Sequence, residues 1–159
     1  MNFKHTFNAE LQWSADTINR VAKTHRISIQ GKQDLKVSAA KAFKGDADLL
    51  NPEDLLLSSL MSCHMMSYLY VCGQHKINVL SYHDNANALL ETYPDGSGKI
   101  IEIHLNPHVI ISDASQVDLA LSLHEEANRL CFIANSCNFQ VYHQPSCEPD
   151  NTSLHLEGK

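Results

Sequence analysis

At 159 residues, with a net charge of −6 and basic residues scattered along its length, the chain is sized for one domain that buries a core unaided. Nothing in it forms the concentrated basic patch of a nucleic-acid binder. Five cysteines, an odd and irregularly spaced set, argue against a disulfide framework, and ten histidines with no CxxC pair to accompany them give no zinc signature.

The N-terminus, MNFKHTFNAELQW, lacks the apolar core of a signal peptide, so the expected location is a reducing cytosol with the cysteines as thiols. Phe7, Ala9, Leu11 and Trp13 alternate with polar residues, the period of a half-buried strand over His5 to Trp13. A polar connection, SADTINRVAKTH, leads to a second strand around Ile27 and Ile29, ended by Gly31. Leu35, Val37 and Ala39 repeat the alternation. The N-terminal third therefore reads as a small meander, delivered by the loop KAFKGDADLL to Asn51.

The stretch Asn51 to Cys72, NPEDLLLSSLMSCHMMSYLYVC, is the longest apolar run. Asn51 supplies an N-cap oxygen, Pro52 suits the first helical position, and Glu53 and Asp54 favour the positive end of the helix dipole. Apolar residues point all round the axis, which predicts a helix enclosed by protein and ended by Gly73. A membrane span is the competing reading for such a length, but four serines, His64 and the lack of a basic flank favour a core helix.

Beyond Gly73 the period returns to that of strands: Ile77 and Val79, then Ala86 to Leu90, and after the Pro94-Asp95-Gly96 turn Ile101 to Leu105. Pro107 predicts that Val109 to Ile111 is an edge strand or a bent continuation. A second, amphipathic helix is expected from Asp113 or Ser115, with Val117, Ala120, Leu121, Ala127 and Leu130 facing inward. LCFIANSC follows, then a last strand over Phe139 to His143. Residues 146–159 read as a polar, disordered tail with an exposed Cys147, leaving 1–145 as the domain. No phosphate loop or nucleophile elbow is present, so dinucleotide, NTP and serine-hydrolase chemistry has no support.

Two cysteines stand apart: Cys63 inside the first helix and Cys131 where the second helix ends. A buried free thiol is more often core filler than reagent, and reactivity requires access and stabilisation of the thiolate. At these positions the chain resembles a known family. The pair of motifs NPEDLLLSSLMSCH (Asn51 to His64) and LHEEANRLCFIANS (Leu123 to Ser136) is similar to the OsmC/Ohr family of thiol peroxidases, in an order of elements running from about His5 to His143.

The resemblance implies an α+β, OsmC-like fold with antiparallel sheets wrapped around central helices in an intertwined homodimer. It implies a peroxidatic Cys63, a resolving Cys131, an organic or fatty-acyl hydroperoxide substrate and an external dithiol reductant of lipoyl or thioredoxin-like type, with no cofactor, metal, nucleic acid or membrane. Glu53 matches the family's carboxylate, whose partner is an arginine in Tyr-Ser-Arg-x-His. Here that segment is Val21-Ala22-Lys23-Thr24-His25, which puts Lys23 at the arginine position with Arg20 and Arg26 as substitutes. A lysine lacks the planar fork that can hold a carboxylate and a thiolate together. His25 and His64 are second-rank candidates, more often structural than catalytic. The alternative is an OsmC-like protein that binds a ligand or senses redox state without turnover.

Overall fold

A computed structural model of the chain describes residues 2–15 and 23–150. Its contacts divide it into two compact units, Met1–Leu56 and Leu57–Lys159.

The N-terminal unit is the expected meander: β1 (Glu10–Gln12), β2 (His25–Ser28) and β3 (Leu35–Val37), antiparallel in that order. Leu11, Ile27 and Leu35 lie side by side in register. The first strand is much shorter than the alternation over His5 to Trp13 predicts. Phe7 and Trp13 remain exposed on either side of it, at 93% and 58%. Past β3 the chain turns through Lys41–Phe43, a single 3-10 turn. Gly45 is required there: a Cβ would lie 1.6 Å from the Ala39 carbonyl oxygen. A backbone bond from Ser38 N to Leu50 O, 2.8 Å, then aims the chain at the first helix.

Helix α1 (Pro52–Gln74) begins as its sequence predicts. Asn51 Oδ1 accepts from the Asp54 amide at 2.9 Å and Asp54 Oδ2 accepts from the Asn51 amide at 3.2 Å, a reciprocal cap. It does not stop at Gly73. The helix runs on to Gln74 and closes through Lys76, whose φ of 58° is left-handed, with Ile77 N bonded to Cys72 O. Nor is α1 enclosed on every side: Leu60, His64, Tyr68, Val71 and Cys72 form one buried stripe, while Met66, Leu69 and Tyr70 remain exposed. By length and composition α1 could cross a membrane. In this fold its buried stripe instead seats two histidine- and tyrosine-bearing turns in the protein core.

The C-terminal unit holds six strands in two three-stranded sheets, β4-β7-β9 and β5-β6-β8. They are β4 (Val79–Asp84), β5 (Asn87–Thr92), β6 (Gly98–Leu105), β7 (Pro107–Ile111), β8 (Gln140–His143) and β9 (Ser146–Pro149). β5 and β6 make the expected hairpin, but β6–β8 and β7–β9 run parallel, so the sheets are mixed rather than purely antiparallel. Pro107 opens β7, the central strand of its sheet and not an edge; at a strand's first residue a missing amide is tolerated. Asn106, between β6 and β7, carries the chain from one sheet to the other, pinned by its amide to Asp84 Oδ1 at 2.8 Å and by its Nδ2 to Asn85 O at 2.7 Å.

β9 corrects the reading of a frayed tail. Ser146–Pro149 pairs with β7, and Cys147 is half-buried against the core rather than exposed. Its i, i+2 burial is too short to register as a period next to two prolines. Residues 151–159 lie outside the described residues.

Asp113 caps the approach to α2 (Val117–Leu130), accepting from the Ser115 amide and hydroxyl. α2 buries Ala120, Leu123, His124 and Ala127. The core then forms two clusters. One gathers Tyr68, Val71, Ile77, Val109, Ile111, Ala120, Leu123 and Ala127; the other gathers Leu60, Ile103, Leu105 and Cys131. α1 contributes to both; α2 contributes to the first, and Cys131, just past its end, to the second.

Candidate functional site

Cys63 and Cys131 come together at the second cluster. Cys63 is half-buried on α1, beside the buried Leu60 stripe, and packs on the group that contains Cys131. Cys131 is fully buried where α2 ends: its φ and ψ of −72° and 110° break the helix, and the chain turns through Ala134–Ser136. The Ala134 amide points at Cys131 Sγ, 3.4 Å away, and the Cys63 thiol is within hydrogen-bonding reach.

The two thiols differ in environment. Burial pushes Cys131 up to about 11; the Ala134 amide pulls the other way, and Cys63 adds to the rise because two adjacent thiolates repel. Cys131 therefore stays a thiol at neutral pH. Cys63 instead lines a pocket of 490 Å³ with Met66, Ser67, Tyr70, Leu130 and Phe132. The lining is mainly apolar and aromatic. Phe132, adjacent in sequence to the buried Cys131, is 81% exposed at the pocket's rim. An accessible sulfur, a greasy pocket and a second sulfur behind it can accept an apolar electrophile and then close a disulfide.

The other expected residues are placed as follows. Glu53 is in the first turn of α1, with one carboxylate oxygen buried and without a hydrogen-bond partner. Lys23 does not meet a carboxylate: its Nζ donates to the Phe43 carbonyl oxygen at 2.6 Å, and its own carbonyl oxygen lies 2.9 Å from His25 Nδ1. Arg26 pairs with Asp34 at 3.4 Å and bonds Gln12. Arg20 lies outside the described residues. His64 lines none of the Cys63 pocket; it is fully buried on the stripe between Leu60 and Tyr68.

Residues that sequence reasoning passed over surround His64. His64 Nε2 is 3.1 Å from His124 Nδ1 on α2, and the His143 ring on β8 packs against His64, tilted by 36° with 4.5 Å between centroids. Tyr68 stacks on the other face of this group, 3.9 Å from His124, and donates its hydroxyl to Ala120 O at 3.1 Å. Burial, then the neighbouring His143 and His124, lower His64 to about 3; burial and His143 lower His124 to about 4; burial lowers His143. All three imidazoles are neutral at pH 7. His124 was legible in principle, because it stands four residues after Ala120 on the face already assigned inward. Among the described residues, no group of three or more histidines, cysteines or acids is arranged to hold a metal ion.

Comparison with known proteins follows the same lines. The family model described as OsmC-like protein matches residues 44–144. An OsmC-like protein of unknown function from Vibrio cholerae is similar at 25% identity and a TM-score of 0.80, over 89% of this chain and 99% of that one. An organic hydroperoxide resistance protein from Elizabethkingia anophelis superposes with a TM-score of 0.70 at 16% identity, covering 94% and 100% of the two chains. An organic hydroperoxide resistance protein OsmC from Legionella pneumophila gives 0.67 at 17% identity, over 92% and 99%. No curated protein matches by sequence.

Proposed function

This chain belongs to the OsmC-like protein family, and from that premise we propose that it reduces organic hydroperoxides to alcohols, with Cys63 as nucleophile and Cys131 as resolving thiol. The observation that carries the reading is the unequal pair of thiols at one pocket: Cys63 open to it, Cys131 buried behind it and held protonated.

In the first step an electron pair of the Cys63 thiolate takes the distal oxygen of the hydroperoxide. The O–O bond breaks, the alkoxide leaves and collects a proton as the alcohol, and Cys63 becomes a sulfenic acid. In the second, Cys131 sulfur attacks Cys63 sulfur, an S–S bond forms, and the Cys131 proton leaves with the hydroxyl as water. An external dithiol then reduces the disulfide and is itself oxidised. The pocket of Met66, Tyr70, Leu130 and Phe132 suits an alkyl or aryl group on the peroxide better than water-sized hydrogen peroxide. A cytosolic location, where the thiols begin reduced, fits this cycle.

A homodimer belongs to the same proposal. Met66, Leu69 and Tyr70 on α1, and Phe7, Leu11 and Trp13 near β1, are large apolar residues left exposed by a single copy. A second copy would cover them. Sedimentation at micromolar protein tests this, and a folded, stable monomer would contradict it.

Lys23 takes the role of the family arginine in this proposal, with Glu53 as its carboxylate; the buried, unpartnered Glu53 oxygen supports a cation there. The engagement of Lys23 by Phe43 O favours the second reading, a redox-sensing or ligand-binding protein that oxidises once without efficient turnover. Peptide mass mapping after one equivalent of cumene hydroperoxide tests the cycle. The expected product is a Cys63–Cys131 disulfide, with Cys131→Ser leaving a dimedone-reactive Cys63. Catalytic turnover with a dithiol separates the peroxidase from the sensor.

A further inference from the structure

Two buried imidazoles, His64 and His124, and the half-buried His143 lie where the two core clusters meet. On α1, His64 follows Leu60 of one cluster and precedes Tyr68 of the other; on α2, His124 stands between Ala120 and Ala127 of one cluster, two turns ahead of Cys131 of the other. His143 closes the group from the end of β8, next to Val141, which packs beside Cys131. Between α1 and α2 the His64–His124 pair, 3.1 Å between Nε2 and Nδ1 with ring planes 17° apart, lies beside the Tyr68 ring stacked on His124 and is the contact on the Cys63 side of Tyr68.

Such a contact survives one added proton but not two, and the first already places a charge in the core. One nitrogen must carry the proton and the other must offer its lone pair. Whichever ring donates, the pair leaves one N–H and one lone pair at His64 Nδ1 and His124 Nε2, both buried and without partners, as is His143 Nε2. A proton added to either ring makes it a cation with no anion to meet. The titratable groups packed around it are Tyr68 and Cys72 from α1, Tyr82 and Asp84 from β4 and Cys147 from β9. Of these only Asp84 is acidic near neutral pH, and its Oδ1 is taken by the Asn106 amide while burial raises its carboxyl.

We propose that His64, His124 and His143 are positioning residues for the second chemical step: as a neutral imidazole seam they set α2 against α1 so that Cys131 sits at Cys63, and protonating the seam uncouples disulfide closure from attack on peroxide. The proposal rests on the peroxidase reading. In acid, Cys63 would still be oxidised, but Cys131 would no longer be presented to it, and the enzyme would accumulate as the sulfenic acid.

The test compares the full-length wild type with His64→Gln/His124→Asn, whose carboxamides replace Nε2 and Nδ1 as hydrogen-bonding groups and do not titrate. Each receives one equivalent of cumene hydroperoxide with dimedone present, and mass spectrometry gives the ratio of Cys63 adduct to Cys63–Cys131 disulfide. The two proteins should agree near pH 7, and at roughly pH 3.5, below the value of about 4 to which His124 is lowered, the wild-type ratio should exceed the double variant's by about fourfold. Equal ratios at both pH values overturn the seam.

Closure by diamide, which joins two thiols without peroxide, keeps this outcome separate from failure of the peroxidase reading. If no peroxide is consumed, the wild type should still close about fourfold more slowly than the double variant at roughly pH 3.5. Parallel diamide profiles reject the seam whatever the natural oxidant. Should the double variant fail to fold, His143→Asn removes the half-buried ring that helps hold His64 and His124 down, and should shift the wild-type acid transition to higher pH; an unmoved transition rejects the proposal.

Discussion

Acidification from pH 7 to about pH 5 should destabilise the protein by about 4 kcal/mol, chiefly through His64 and His124. Both rings are buried, at 0% and 2% exposure, and are lowered from 6.5 to about 3 and about 4. The unfolded chain binds protons at the ordinary value and the folded chain does not, so stability is complete above 6.5 and falls as the pH drops toward the folded-state values. At about pH 5 each ring lies roughly one and a half units below its ordinary value, which at about 1.36 kcal/mol per unit is about 2 kcal/mol per ring. The result holds wherever the folded values lie, provided they are below 5.

His143, lowered by burial, adds in the same direction, whereas the carboxylates do not imitate this window. Asp95, Asp113 and Glu126 are lowered by hydrogen bonds from Ser97, Ser115 and Arg129, and their contribution is lost only as the pH falls below the ordinary carboxylate range. Asp84, raised by burial, has the opposite sign and gains a proton more readily when folded. Urea unfolding followed by far-UV circular dichroism measures the effect. With a slope near 2 kcal/mol per molar urea, the midpoint should fall by about 2 M. His64→Gln/His124→Asn should lose less than about 1 kcal/mol over the same interval. A wild type equally stable at both pH values, or a double variant that loses as much, would refute the neutral-imidazole account.

Two further substitutions probe the thiol site. Leu60→Ala removes a fully buried side chain from the cluster that holds Cys131, and should cost about 2–5 kcal/mol by urea unfolding, against near zero if the helices collapse onto the gap. Lys23→Ala should slow iodoacetamide alkylation of Cys63 at neutral pH and Lys23→Arg should match or exceed the wild type, because the guanidinium fork can hold Glu53 and sulfur together. Identical rates for all three would remove Lys23 from the site.

The motifs around Asn51 and Cys131 made the family legible because their constraints are local. A cap, a proline at the first helical position and a cysteine on an apolar helix all leave marks within a few residues. The N-terminal meander and the β5–β6 hairpin were legible from period and turn residues for the same reason. What escaped depends on partners distant in sequence. β9 is a strand only because β7 offers it an edge, and its four residues carry no period of their own. β7 became central for that reason, despite Pro107. The all-round apolar pattern of α1 suggested enclosure, yet one copy of the chain buries a single stripe. His64, His124 and His143 come from three separate elements, so their meeting is a property of packing that no spacing within the sequence records.

The account's central claim is that Cys63 is the sulfur that meets peroxide. Stopped-flow measurement of cumene hydroperoxide consumption by the wild type, Cys63→Ser and Cys131→Ser tests it directly. The wild type and Cys131→Ser should each consume a first equivalent in a fast phase that Cys63→Ser lacks entirely. A fast phase retained at the wild-type rate in Cys63→Ser would contradict the claim.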